Sequence, residues 1–96
     1  MLNFYKSRFA VGHKCFVLNL GIGYMWHVLP EPITIVRVVI ETYEKSNRYV
    51  VTYKCSDDYF RKEGMQENGE PLTDVLFGTK IEAKSACAAR NRVKFS

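Results

Sequence analysis

Two runs of alternating residues across a short polar turn constrain the fold of this chain most strongly. In the first run, Val36, Val38 and Ile40 alternate with Arg37, Val39 and Glu41. In the second run, Tyr49, Val51 and Tyr53 alternate with Arg48, Val50, Thr52 and Lys54, after the turn Glu44-Lys45-Ser46-Asn47. A period of two in β-branched and aromatic residues is the pattern of a half-buried strand. Residues 33–54 are therefore predicted to form a β-hairpin.

Further strands are predicted on either side of this hairpin. A first strand is expected at Lys14–Leu20, followed by a turn at Gly21-Ile22-Gly23. Residues 24–29 predict a short second strand, which Pro30 and Pro32 end because proline cannot donate to a ladder. After the hairpin, residues 56–71 are rich in polar and turn-forming residues and predict a long irregular loop.

One helix is predicted, over residues 79–92. It begins with Thr79-Lys80-Ile81-Glu82, which matches a capping box, and continues with alanines that favour helix. We expect Ile81, Cys87 and Ala88 to face the sheet. We expect Lys80, Lys84 and Arg90 to point outward.

Length and composition set the class. The 96 residues suit one domain, residues 1–96, with a β-rich part at 9–78 and the helix at 79–92. The fold class predicted is α+β, mainly β: a small barrel or strongly curved antiparallel sheet with one C-terminal α-helix. The apolar runs are shorter than the roughly 20 residues that span a bilayer, so no membrane segment is expected. Three widely spaced cysteines and the lack of a signal-peptide pattern predict a cytoplasmic protein with reduced thiols.

Charge is distributed unevenly along the chain. Residues 1–30 carry three basic and no acidic side chains, and residues 79–96 carry five basic side chains and one acidic side chain. Residues 31–78 hold six basic and nine acidic side chains. If the two ends meet, they form a basic face, which attracts phosphate. The alternative is a solvated surface that maintains solubility.

The sequence predicts no catalytic site, cofactor or metal site. Gly21-x-Gly23 lacks the third glycine, the Lys-Ser/Thr pair and the βαβ context of a phosphate loop. The histidines and cysteines lack the paired spacing of zinc ligands, and the acidic residues of 57–74 match no calcium loop.

The aromatic residues outnumber what one small core is expected to absorb. Exposed aromatics beside Arg and Lys are how small β-barrels stack bases or grip peptides. Trp26, beside His27, has two positions open to it: on the surface as a stacking platform, or in the core.

A resemblance follows from the order of these segments. A basic strand, the hairpin ITIVRVVIE–turn–RYVVTYKC, a loop and then LFGTKIEAKSACAARN resemble a small barrel of the Tudor and KOW kind. The Val-Gly-His-Lys stretch at 11–14 is similar to the turn that leads into the first strand of those barrels. The resemblance covers residues 9–78, and the C-terminal helix departs from it. The chain also looks similar to small phage-encoded accessory proteins. Such barrels bind nucleic acid or peptides and do not catalyse, an implication drawn from fold alone.

We therefore expect a non-enzymatic module that binds DNA or RNA through a basic face built from the N-terminal segment and the helix. Phosphates are expected to be positioned by Lys6, Arg8, Lys14, Lys84, Arg90, Arg92 and Lys94, with Tyr24 or Trp26 stacking on a base. The alternative is a protein-binding module, such as a phage-encoded inhibitor of a host protein, that uses Trp26 and the acidic segment 57–74.

Overall fold

The computed structural model describes residues 7–43, 48–66 and 68–94, with side chains described up to residue 92. Within them lie six strands: β1 (Lys14–Leu20), β2 (Trp26–Val28), β3 (Ile33–Thr42), β4 (Tyr49–Cys55), β5 (Phe60–Gly64) and β6 (Leu76–Phe77). A short 3-10 turn, Ile22–Tyr24, precedes β2, and the helix α1 spans Lys80–Lys94. The predicted class is confirmed, since the molecule is mainly antiparallel sheet with one C-terminal helix. The predicted turn at residues 44–47 lies outside the described residues.

The sheet is antiparallel and is not closed. Its strand order is β2-β1-β3-β4-β5, and β6 also pairs with β1. The first strand occupies the residues predicted for it, whereas β2 is shorter than the predicted 24–29. A curved sheet and an open barrel both describe this arrangement.

A β-bulge in β3 changes which residues face the core. Ile35 lies opposite Cys55 and Arg37 lies opposite Lys54, so Val36 is the extra residue. Before the bulge the odd-numbered Ile33 and Ile35 are buried, whereas after it Val38 packs against the core. The prediction that Val36 shares the face of Val38 is therefore wrong, and Val36 is 46% exposed.

The core lies on one side of the sheet. Its buried members are Phe9, Cys15, Val17, Ile33, Ile35, Val51, Tyr53, Cys55 and Leu76. They come from the N-terminal segment and from every strand except β2 and β5, so distant parts of the chain are held by one cluster. Tyr53 is fully buried at its centre, and its hydroxyl accepts a hydrogen bond from the Phe9 amide at 3.3 Å.

The predicted loop after β4 is wrong in part, because residues 60–64 form β5. This strand pairs with β4 from Lys54–Phe60 to Val50–Gly64. A tight connection makes the pairing possible: the Asp58 amide donates to the Cys55 carbonyl, and the Cys55 amide donates to the Tyr59 carbonyl, both at 2.9 Å. Asp58 takes a left-handed conformation there, with φ of 69°, which aspartate tolerates better than most residues.

Helix α1 begins as its capping residue predicts and packs against β1, β2 and β6. The Thr79 hydroxyl accepts a hydrogen bond from the Glu82 amide at 3.1 Å. The buried side of the helix differs from the prediction. Ala83 is fully buried and Cys87 partly buried, whereas Ile81 is 81% exposed and Ala88 is exposed. Small residues at the contact let the helix lie close to the strands.

The helix also covers the edge of the sheet. Asn91 accepts a hydrogen bond from the Trp26 amide at 2.8 Å and donates to the Trp26 carbonyl at 3.0 Å. The Cys87 thiol donates to the same carbonyl at 3.2 Å. Since β2 ends the strand order, these side chains satisfy backbone groups that a neighbouring strand would otherwise pair. In the described residues, α1 is too short and too polar to cross a membrane.

Candidate nucleic-acid interface

The cations predicted to bind phosphate lie in three different settings. Lys14, Lys84 and Arg92 are exposed, at the start of β1 and on α1. Arg8 and Arg90 are held by other parts of the protein. Lys6 and the side chain of Lys94 lie outside the described residues, so their predicted roles stay predictions. The structure therefore exposes only some of the cations that the sequence assigned to the basic face.

Arg8 is engaged in joining elements of the fold. Its guanidinium lies 3.7 Å from the Glu63 carboxylate and 3.3 Å from the Asp74 carboxylate. It also donates to the Leu76 carbonyl at 2.8 Å. The same group stacks over the Phe9 ring, 4.8 Å from its centroid. These contacts tie Arg8 to the fold, and the two nearby carboxylates offset its attraction for a phosphate.

Arg90 is similarly engaged, which corrects the prediction that it points outward. Its guanidinium lies 4.8 Å from the centroid of the Trp26 ring and 5.9 Å from that of Phe77, and it donates to the Asp74 carbonyl. Trp26 is half-buried beneath it. Trp26 is thus neither an open stacking platform nor a residue of the core cluster. Tyr24 is 72% exposed in the turn before β2.

A different surface offers free cations: the outer side of β3, β4 and β5. Because Val51, Tyr53 and Cys55 point into the core, the alternating residues of β4 point to the opposite side. Helix α1 packs on the other half of the sheet and leaves this half open. We call it the open sheet face, lined by Arg37, Val39, Glu41, Thr52, Lys54, Phe60 and Lys62 around a concavity of about 420 Å³.

The charge of the open sheet face is positive, and ion pairs within residues 7–43, 48–66 and 68–92 do not neutralise it. It carries three cations, Arg37, Lys54 and Lys62, and one acid, Glu41. The ion pairs found among the described residues are those of Arg8 and Arg61, so none of these three cations has a carboxylate within salt-bridge distance there. Charges left unpaired on a concave surface attract an anionic partner.

An aromatic ring lies among these cations. Phe60 is 60% exposed at the start of β5, and the Lys54 ammonium lies 6.0 Å from its ring centroid. A large apolar side chain so exposed gains little by burial in the fold. Placed beside cations, it provides a flat surface on which a base can stack.

The open sheet face continues into a smaller hollow toward the far end of the hairpin. This end hollow has a volume of about 170 Å³ and is lined by Glu41, Tyr43, Val50, Lys62, Gln66 and Leu72. Glu41 and Lys62 line both concavities, so the two are contiguous.

The sequence contains part of the signal for the open sheet face. The alternation in the hairpin places Arg37 and Val39, and likewise Thr52 and Lys54, on the side opposite the core residues. Phe60 and Lys62 carried no such signal, because their segment was predicted as loop. Only the pairing of β5 with β4 brings them beside Lys54 and Thr52.

The buried thiols of Cys15 and Cys55 and the Tyr53 hydroxyl lie on the core side of the sheet and hold their protons at neutral pH. Burial, reinforced by the nearby Cys55, raises the pKa of the Cys15 thiol to about 11. Burial likewise raises the pKa of the Tyr53 hydroxyl to about 12. A protonated, enclosed thiol is a poor nucleophile. Across residues 7–43, 48–66 and 68–92, His, Cys, Asp and Glu side chains do not converge in groups of three that could hold a metal.

Comparisons with protein-family models, with curated proteins and with solved structures give no significant match. The resemblance to Tudor and KOW barrels thus rests on the segment order alone.

Proposed function

We propose that this protein is a non-enzymatic module that binds nucleic acid through the open sheet face. The observation that carries the proposal is that three cations without an ion pair among the described residues lie around one concavity with Phe60, which is 60% exposed. Cations positioned along a sheet contact phosphates, and an exposed ring stacks on bases. The buried, protonated thiols support a binding role over nucleophilic catalysis.

This proposal moves the site from the face predicted by sequence. Arg37, Lys54 and Lys62 take the phosphate-binding role, and Phe60 takes the stacking role that was predicted for Trp26 or Tyr24. Lys14 belongs to the same side of the sheet, since it precedes the inward-facing Cys15 and lies opposite Thr34. It extends the positive surface toward β1.

The test compares two triple variants with equal change in net charge. The first replaces Arg37, Lys54 and Lys62 with Ala. The control replaces Lys80, Lys84 and Arg92 with Ala, all of them exposed on α1. Binding of a labelled single strand of roughly 12 nucleotides, a length that one small domain can cover, is followed by fluorescence anisotropy at several salt concentrations.

Each phosphate contact on a single strand contributes about 0.7 to the slope of log affinity against log salt concentration. We expect the sheet variant to lose about 2 from this slope and the control to keep the wild-type slope. Equal losses in both variants would indicate attraction by net charge alone. Loss confined to the helix variant would return the site to the face predicted by sequence. Absence of binding by the wild type at low salt would refute the proposal.

A second candidate, binding of a protein partner, is favoured by the turn between β1 and β2. Leu20, Ile22 and Tyr24 expose 45%, 100% and 72% of their surfaces there. Exposed aromatic and aliphatic side chains are typical anchors of protein interfaces. In that case replacing Ile22 with Ser should abolish capture of the partner, while the sheet triple variant should retain it.

A further inference from the structure

The end hollow has walls of two kinds, apolar and polar. Val50 is 5% exposed, Leu72 and Tyr43 are half-buried, and together they form an apolar lining. The carboxylate of Glu41, the ammonium of Lys62 and the amide of Gln66 supply polar groups at the same hollow. Polar groups set against apolar walls are typical of sites that orient a small planar ligand.

Glu41 and Gln66 have no competing partner in the part of the chain that the structure describes. Among the described residues, neither the Glu41 carboxylate nor the Gln66 side chain forms an ion pair or a hydrogen bond. Their hydrogen-bonding capacity is therefore available to a ligand. An ionised Glu41 carboxylate offers acceptors and no donor, whereas the Gln66 amide offers both donors and an acceptor.

The wall that carries Gln66 is held in place by backbone hydrogen bonds. The Gln66 amide donates to the Glu70 carbonyl, and the Gly69 amide donates to the Gln66 carbonyl, each at 2.9 Å. The Leu72 amide donates to the Gly64 carbonyl at 2.9 Å, which ties this turn to the end of β5. The backbone of this wall is thus ordered before any ligand arrives, which lowers the cost of ordering on binding.

We propose that the end hollow accepts one unpaired nucleobase that carries an exocyclic amino group, with Glu41 accepting the amino hydrogens. This inference rests on the proposed function, because the three cations of the open sheet face would bring the strand to the hollow. A carboxylate accepts from the N4 amino group of cytosine, whereas uracil presents an acceptor oxygen at the same position. The base must be free of pairing, so the partner is a single strand.

Cytosine and uracil make the sharpest comparison, because they share size and ring shape and differ at that edge. Labelled single strands of roughly 12 deoxycytidines or deoxyuridines are titrated at neutral pH and one salt concentration. We expect the cytosine strand to bind about 5-fold more tightly or better, the lower end of what a good base-edge contact contributes.

The Glu41→Gln variant identifies the reading group. An amide can donate to the uracil oxygen as well as accept, so the preference should fall to near 1. Because this substitution also removes a negative charge, Glu31→Gln is the matched control: Glu31 is exposed between β2 and β3. The control should bind both strands more tightly and keep the preference for cytosine. Equal thermal melting midpoints of the two variants establish that each is folded.

The outcomes separate the inference from the proposed function. Equal binding of both strands, a preference for uracil, or a cytosine preference that survives Glu41→Gln would each overturn the role of Glu41 while leaving the open sheet face as a phosphate-binding surface. If neither strand binds at low salt, both proposals are wrong.

Discussion

At the scale of single residues, a few polar side chains hold together elements that are distant in the sequence. Arg8 joins β5 to β6, since its guanidinium reaches Glu63 on one and the Leu76 carbonyl on the other. Glu63 is 7% exposed, and its pKa is raised because burial disfavours the charged carboxylate more than Arg8 favours it. The ion pair therefore holds β5 in place relative to β6, while burial of the Glu63 charge offsets part of the stability gained.

This raised pKa predicts a pH dependence with a definite sign. The folded state binds the Glu63 proton more tightly than the unfolded state, whose pKa lies near 4.5. As pH rises from there through the folded pKa, Glu63 lowers the free energy of unfolding, and above that value its effect is constant. Glu63→Gln should remove this decline, as measured by urea denaturation at a series of pH values.

Asp57 provides the opposite case for comparison. Its bidentate hydrogen bonds from Arg61, both at 2.9 Å, lower its pKa, so its stabilisation is present at neutral pH and is lost as pH falls through its folded value. The free energy of unfolding of Asp57→Asn should therefore fall less at acid pH than that of the wild type. If Glu63→Gln and wild type show the same pH profile, the pKa of Glu63 is not raised in the folded state.

Asn91 is the second side chain whose effect can be measured directly. Replacing it with Ala leaves the Trp26 amide without its partner at the covered edge of β2, and the Trp26 carbonyl keeps only the hydrogen bond from the Cys87 thiol. We expect the free energy of unfolding to fall by about 1–3 kcal/mol, the cost of an unpaired polar group that is partly buried. Arg92→Ala, at the adjacent exposed position, is the control and should change stability little. Equal effects of the two substitutions would show that the hydrogen bonds between Asn91 and the Trp26 backbone do not stabilise the fold.

At the scale of elements, the sequence predicts those that depend on local signals and misses those that depend on long-range strand pairing. The alternation in β1 and the capping residue of α1 are local, and both elements begin where predicted. The segment of β5, Phe60-Arg61-Lys62-Glu63-Gly64, has no apolar alternation, and it becomes a strand only because β4 pairs with it. The bulge at Val36 is also missed, because it depends on the register with Cys55 and Lys54.

The start of α1 gives a prediction that belongs to the element as a whole. Thr79→Ala removes the acceptor for the Glu82 amide and should lower the free energy of unfolding by about 0.5–2 kcal/mol. Thr79→Ser keeps a hydroxyl and should retain most of the stability. Denaturation midpoints measure both, and identical midpoints for Ala and wild type would mean that the cap does not stabilise the helix.

The end of the β4–β5 pair depends on a glycine. Gly64 has a φ of 112°, and a side chain added there would collide with the Tyr49 carbonyl. Gly12 also has a positive φ, of 95°, but a side chain there meets open space. Gly12→Ala should cost about 1–2 kcal/mol from backbone strain alone. Gly64→Ala should cost more, since it adds a clash with the Tyr49 carbonyl. Urea denaturation measures both costs, and equal costs would contradict this prediction.

At the scale of the whole molecule, the candidate site comes from how α1 divides the outer side of the sheet. One half is covered by the helix, and the other half exposes cations contributed by three strands. The alternation in the hairpin indicates that Arg37 and Lys54 share a face, but Lys62 joins them only because β5 pairs with β4. The sequence predicted a basic binding surface from charge at the chain ends. Tertiary packing instead occupies Arg8 and Arg90 and leaves Arg37, Lys54 and Lys62 without an ion pair among the described residues.

The most direct test of this account is a map of backbone amide chemical shifts during titration with a cytosine-containing single strand. We predict the largest perturbations at the amides of β3, β4 and β5 around Arg37, Thr52 and Lys62, decreasing as salt is added. Perturbations centred on Lys84 and Arg92 of α1, or on the turn at Ile22–Tyr24, would contradict the assignment of the open sheet face. A spectrum unchanged at low salt would contradict nucleic-acid binding itself.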